Sequence, residues 1–446
     1  MAIKIGMASL GCPKNQVDGE MLLARLTAAG YELTPYEEQA DVIIVNTCGF
    51  IEDAKQEAID TILDLAQWKT QGNLKALIVT GCLSERYREQ LETAIPEIDG
   101  VVGIGKNGDI VTIVEQALAG QTGGYYAEKT DLPLEGERVI INPPHYAYLK
   151  VAEGCNNRCA YCAIPAIRGE MRSRKLENVV AEAECLAARG VKELIVVAQD
   201  TTRYGEDLYG KPMLPQLLTR LCQIEGIEWI RILYAYPDRV TPELLSVMAK
   251  EEKIVKYLDL PIQHCNGEVL KRMNRPGNRQ SLTRCIADLR DAVPDIQIRT
   301  TVMVGFPGET EEQFEELCEF VKEMNFPRLG CFAFSEEEGT PAAEMDGAVP
   351  MEVRLQRQEI LMEQQSLSLM ELTRQKVGTV QRVLIDEFDY DRNQFVGRTT
   401  ADAPEIDCKV YVNATQGTIG GFMQVRIVDT EDLDLIGNMI ESECGQ

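Results

Sequence analysis

The chain has 446 residues, too long for one average domain, so roughly two to four domains are expected. Hydrophobic residues make up 45% and charged residues 26%, as in an ordinary soluble globular protein, and no run approaches the ~18 apolar residues of a membrane helix. A formal net charge of −26 argues against a surface built to embrace nucleic acid, which is not expected as the primary substrate; it suits a basic partner.

The opening MAIKIGMASLGC runs straight into a strand-like pattern and lacks the make-up of a signal peptide. Fourteen cysteines without an export signal point to a reducing cytoplasm and to metal binding rather than disulfides. In residues 1–125 short apolar runs alternate with amphipathic stretches. KIGMASL precedes VDGEMLLARLTAAG, DVIIVNT precedes AKQEAIDTILDLAQWK, and ALIVTG precedes SERYREQLETAI. This predicts a small doubly wound parallel sheet with crossover helices. Cys12, Cys48 and Cys82 each end one of these runs. Parallel strands point the same way, so the three thiols should share the carboxyl edge, where such sheets place their ligand crevice. They are a candidate metal site. Residues 126–145 carry glycine and prolines with no clear period and read as a linker.

Six strand-like runs follow within 146–373: AYLKVAEG, ELIVVAQD, IRILYAYP, VKYLDLPIQ, IRTTVMVGFP and RLGCFAFS. Helical patterns separate them, so a partial barrel of six strand–helix units is expected. Directly after the first strand comes GCNNRCAYCAIPAIRG, with Cys155, Cys159 and Cys162 spaced Cys-x3-Cys-x2-Cys. Three thiolates from one short loop can hold three irons of a four-iron four-sulfur (4Fe–4S) cube and leave the fourth iron open for a small molecule. A structural zinc site would close with a fourth Cys or His; none stands nearby, and His145 and His264 are the only histidines. The spacing resembles the cluster loop of radical S-adenosylmethionine (SAM) enzymes, in which the open iron chelates SAM.

Gln199, Asp200, Tyr234, Tyr236, Gln263, His264 and Ser335 end strands on the same face and are pocket candidates by position. In MVGFPGET, Gly305 and Gly308 allow close approach of backbone to a ligand, and beside a SAM loop they are candidate adenosine contacts. The same string reads equally well as a strand-to-helix turn capped by Thr310. Arg168, with Arg172 and Arg174, is a candidate for holding the SAM carboxylate or an acidic substrate group. Cys185, Cys222, Cys265, Cys285, Cys318, Cys331, Cys408 and Cys444 have no ligand-like spacing and read as small packing residues.

Residues 374–446 show short strands that predict a small antiparallel β-barrel. From Lys376 onward six cations face thirteen acids. Such a surface repels phosphate and attracts a cationic protein.

Taken together, SLGCPKNQVDGE, NTCGFIEDAKQEAI, GCLSERY, VAEGCNNRCAYCAIPAIRG, QDTTRYG, LPIQH and VGFPGETEEQFEEL resemble the radical SAM methylthiotransferase family over nearly the whole chain. The resemblance implies an N-terminal cluster domain, a radical SAM partial barrel and a terminal TRAM barrel. It implies two 4Fe–4S clusters, one on Cys155, Cys159 and Cys162 and one on Cys12, Cys48 and Cys82, together with two SAM. One SAM yields a 5′-deoxyadenosyl radical that abstracts hydrogen from carbon; the second methylates the sulfur delivered by the Cys12 cluster. NTCGFIEDAKQE and the acidic tail are similar to the branch acting on an aspartyl β-carbon in protein twelve of the small ribosomal subunit. The alternative is the branch that modifies a tRNA adenosine. An electron donor such as flavodoxin or ferredoxin is the further partner implied.

Overall fold

Three apolar hexads, Lys4–Ser9 (β1), Val42–Thr47 (β3) and Ala76–Gly81 (β4), form the middle of the first sheet, and β3 and β4 are buried along their whole length. Strands covered on both faces read as continuous apolar runs. The computed structural model describes residues 2–440; Cys444 and two of the acids counted in the tail lie outside them. Glu32–Leu33 (β2), Gly100–Val102 (β5) and Gly123–Tyr125 (β6) complete an all-parallel sheet of order β2-β1-β3-β4-β5-β6. Helices Pro13–Ala28 and Ile110–Leu118 pack Leu22, Leu26, Ile113 and Val114 onto one face. Helices Glu52–Ala66 and Cys82–Ala94 pack Ala58, Ile62, Leu83 and Leu91 onto the other. The sheet is doubly wound, and its strand order reverses between β1 and β3, the switch point at which such sheets open a crevice.

The second unit contains Tyr146–Lys150 (β7), the short antiparallel pair Ala152–Glu153 (β8) and Arg172–Ser173 (β9), then Glu193–Val197 (β10), Trp229–Ile232 (β11), Ile254–Asp259 (β12), Gln297–Val304 (β13) and Arg328–Ala333 (β14). Its parallel sheet runs β7-β10-β11-β12-β13-β14, the six-unit partial barrel expected. Side chains alternate along each strand. Ala147, Leu149, Leu194 and Val196 point outward to the covering helices, while Tyr146, Tyr148, Ile195 and Val197 point inward.

Helix Met351–Arg374 leads to the last unit, a closed barrel of Val380–Asp389 (β15), Gln394–Arg398 (β16), Val410–Asn413 (β17), Phe422–Glu431 (β18) and Asp434–Met439 (β19). Its pairings are antiparallel except β17 with β19, which is parallel and closes the cylinder. Leu384, Ala403 and Phe422 of this unit pack among Tyr146, Tyr148, Trp229 and Tyr257 inside the partial barrel. Glu193, fully buried, is held by Arg231 from within the partial barrel and by Arg398 from the small one, each at 2.7 Å.

The stretch 126–145 carries one short 3-10 turn, Lys129–Asp131, and is pinned at several points. Buried Arg138 binds Glu20 at 2.6 Å and Glu182 at 2.5 Å, and Arg172 donates to Thr130 O at 2.7 Å. No helix among the described residues is long and apolar enough to cross a membrane.

Candidate active site

Each cysteine of the first unit stands one to three residues beyond a strand end. Cys12 is the N-cap of helix Pro13–Ala28, Cys48 follows β3, and Cys82 opens helix Cys82–Ala94. Glycines bring the three loops together. A Cβ on Gly11, whose φ is +89°, would stand 2.7 Å from Cys48 Cβ; one on Gly49 would stand 2.7 Å from Leu83 Cα; and one on Gly81, with φ +101°, would stand 2.4 Å from Thr47 O. No larger residue allows this approach.

Cys155, Cys159 and Cys162 lie between β8 and helix Ile164–Arg168. The loop returns on itself through Cys155 N–H to Gly169 O at 3.1 Å. Cys159 Sγ lies 2.8 Å from Tyr236 Oη, and Asn157 N donates toward Cys155 Sγ at 3.5 Å. Arg275 lies behind this pair, 4.0 Å from the centroid of the Tyr236 ring and donating to Pro261 O at 2.6 Å.

The two triads line a single cavity of about 1080 Å³. That is larger than the ~300–1,000 Å³ of a small-molecule pocket. Among the described residues no other cysteine lines it, and no three His, Cys, Asp or Glu side chains converge closely enough to share one metal ion. The residues present fit two clusters, each with one iron free of protein sulfur. Burial pushes the Cys48 and Cys162 thiols up to about 12. Cys12 is different: burial raises it, but Lys14 and Arg168 outweigh that and hold it below the ordinary thiol. Iron binding must displace the thiol protons.

Arg168 joins the two triads. It is 2% exposed and bonds Asp18 Oδ2 at 2.5 Å, Asn15 Oδ1 at 2.9 Å, Glu153 Oε2 at 3.2 Å and Cys82 Sγ at 3.4 Å. Lys150 sits between the same two carboxylates, 2.8 Å from Glu153 and also bonded to Asp18. The expected role of Arg168 toward a SAM carboxylate gives way to this one, because two protein carboxylates already occupy its guanidinium. Arg172 and Arg174 are likewise spent on the stretch 126–145 and on Glu182. Gly305 and Gly308 do not line the cavity. Their positive φ angles of +70° and +75° are real, but a Cβ on Gly305 would strike the Arg354 side chain at 2.4 Å, and Gly308 packs on Arg272 and Gly347. Gly305 thus makes room for the Arg354 side chain. The capping reading of the string is realised: Thr310 and Gln313 form a reciprocal capping box.

Gln199, Tyr234, Tyr236, Gln263 and Ser335 reach the cavity wall. Asp200 instead caps the turn Thr201–Arg203 and binds Asn157 at 2.7 Å, and His264 is buried away from the cavity, accepting from Asn266 N. Reading the sequence missed Lys14, Asp18, Lys150, Glu153 and Arg275. A signal existed for two of them: Lys150 and Glu153 interrupt an otherwise apolar strand, which surface placement does not explain.

Residues 149–321 match the Radical SAM superfamily, residues 4–103 the uncharacterized protein family UPF0004, and residues 377–440 the TRAM domain. The ribosomal protein uS12 methylthiotransferase RimO of Pelotomaculum thermopropionicum is 50% identical over 99% of this chain and 100% of its own length. The chain belongs to the RimO family of methylthiotransferases. RimO of Clostridioides difficile is 47% identical over 98% of the chain and 99% of its own length. Among solved structures, the radical SAM methyltransferase TsrM of Kitasatospora setae superposes with TM-score 0.55 at 14% identity, covering 74% of this chain and 73% of that one. That likeness shows the fold of the part of the chain it covers.

Proposed function

We propose that the chain methylthiolates ribosomal protein uS12 at the β-carbon of an aspartyl residue, with Cys155, Cys159 and Cys162 holding one 4Fe–4S cluster and Cys12, Cys48 and Cys82 a second. The observation that carries this reading is the meeting of two cysteine triads, one from each α/β unit, on the walls of one cavity. When bound, the clusters supply the electron that cleaves SAM and the sulfur that is carried to carbon. The protein's own groups orient and enclose. Tyr236 Oη is placed to donate to Cys159 Sγ, and Arg168 to Cys82 Sγ. The Asp18–Lys150–Glu153–Arg168 network fastens the two units at the depth of the cavity. At its rim Glu337 of the partial barrel binds Arg86 at 2.7 Å and Lys55 at 3.2 Å from the first unit. Reaction of an unactivated C–H bond calls for water to be kept from the radical.

A low-potential flavodoxin or ferredoxin is the proposed electron donor, since reduction of a cluster with an open iron needs an external electron. The cytoplasm is the proposed compartment, where thiols stay reduced and able to take iron. The tRNA alternative is disfavoured by the acid excess of the terminal barrel and by the full-length similarity to uS12 enzymes. Mass spectrometry of uS12 from a deletion strain, with and without the gene restored, tests the reading. A methylthio increment that appears only with the gene supports it; unmodified uS12 beside altered tRNA overturns it.

A further inference from the structure

We infer that Lys14 is the receptor for the carboxylate of the aspartyl side chain that is modified, an inference that rests on the function proposed above. Lys14 is the second residue of helix Pro13–Ala28, two residues after Cys12, and it lines the cavity although only 7% of it is exposed. Its ammonium stands 3.2 Å from the centroid of the Tyr234 ring. No carboxylate among the described residues lies within ion-pair distance of it. Buried lysines are almost always paired, because an uncompensated buried charge is costly. The other buried cations on the cavity wall are committed. Arg168 holds Asp18 and Glu153, Arg354 holds Glu336, and Arg275 donates to Pro261 O and stacks on Tyr236. Lys14 has no carboxylate of its own; its neighbours are the Tyr234 side chain and the Cys12 thiol two residues away, which leaves N–H donors for an incoming carboxylate.

Its setting favours an anion that arrives with the substrate. An aromatic face shields an ammonium from water without neutralising it, so the charge stays available. Tyr234 is itself held in an unusual backbone conformation, φ +60°, with its N–H on Asp259 Oδ2 at 3.0 Å. Non-glycine residues in that region concentrate at functional sites. The ring comes from the end of β11 and the ammonium from the first unit, so the pair lies where the two triad-bearing units meet. A carboxylate bound there has its β-carbon one bond away. The same contact discriminates against an asparaginyl residue, which offers no charge, and against a neutral nucleobase.

SAM also carries a carboxylate, and the nearby thiolate of Cys12 is a third anion Lys14 could serve. The experiment separates them. The full chain and its Lys14→Met and Lys14→Arg variants are reconstituted anaerobically. A peptide spanning the modified segment of uS12, as mapped by mass spectrometry, is compared with the same peptide bearing Asn at the target. Loss of a buried charge partner at an interface costs roughly 30-fold or more in affinity. The expected result is a wild-type preference of that size for the Asp peptide, abolished in Lys14→Met and partly kept in Lys14→Arg, with iron content and SAM affinity unchanged. A Lys14→Met protein that keeps the preference overturns the inference. So does one that loses SAM affinity with the preference intact, or one that loses iron. A wild-type enzyme that acts on neither peptide overturns the proposed function itself.

Discussion

The Arg168 guanidinium reaches Cys82 Sγ at 3.4 Å while its other contacts bind Asp18 and Glu153. A residue six positions beyond Cys162, on the helix that follows the first triad, thus touches a sulfur of the second. Arg168→Met leaves two buried carboxylates with Lys150 as their remaining cation, and breaking a buried pair costs about 3 kcal/mol or more. Chemical unfolding of the variant should show that loss. Hydrogen bonds to cluster sulfurs raise the reduction potential. Redox titration followed by electron paramagnetic resonance should therefore place the Cys12–Cys48–Cys82 cluster of Arg168→Met below the wild-type value. An unchanged potential would mean that the N–H is not directed at sulfur in the loaded protein.

Cys82→Ala should separate the two chemistries. The protein should retain about four irons instead of about eight, continue to cleave SAM, and insert no sulfur. Sulfur insertion at the wild-type rate would overturn the assignment of the second triad.

Tyr236→Phe removes the hydroxyl 2.8 Å from Cys159 Sγ but keeps the ring beneath Arg275. Partners of metal ligands are typically worth 10–100-fold in affinity or activity. SAM cleavage under limiting reductant should fall about tenfold with iron content unchanged, a split that loss of folding would not produce.

His264 reports on the barrel's stability. It is fully buried, its Nδ1 accepts from Asn266 N at 2.9 Å, and its Nε2 has no partner. Burial first, then Arg272 and Arg357, bring its pKa down to about 3. Between about pH 3 and the ordinary value of ~6.5 the unfolded chain binds a proton that the folded chain refuses, so stability rises with pH across that window. The slope from this group is about 1.4 kcal/mol per pH unit. In His264→Gln that contribution should vanish, which denaturant midpoints at pH 4.5 and pH 6 will measure; an identical pH dependence in both proteins would contradict it.

What the sequence made legible was whatever one strand or one loop determines by itself. VIIVNT and ALIVTG are buried on both faces, so their apolar runs reveal strands, and the cysteine after each is placed by strand direction alone. Contacts set by distant chain were not legible. The partner of Arg168 is Asp18, 150 positions away. Arg354 decides why Gly305 must be glycine, and nothing local to MVGFPGET says so. The exposed two-residue β2 and the glycine-rich β6 are strands only because a sheet edge was there to pair with. Lys14 was hidden for a related reason: a lysine beside a cysteine looks like surface until the helix carrying it is docked against Tyr234.

Leu384, Ala403 and Phe422 fill the inside of the partial barrel below the reaction chamber, and Arg398 anchors them to Glu193. The terminal barrel is therefore the floor on which the radical chemistry stands. A chain cut at residue 374 would open that floor to water, so its inactivity would say nothing about how uS12 is gripped. Recognition has to be probed by single changes on the outer strands, where Tyr390, 87% exposed, projects from the end of β15.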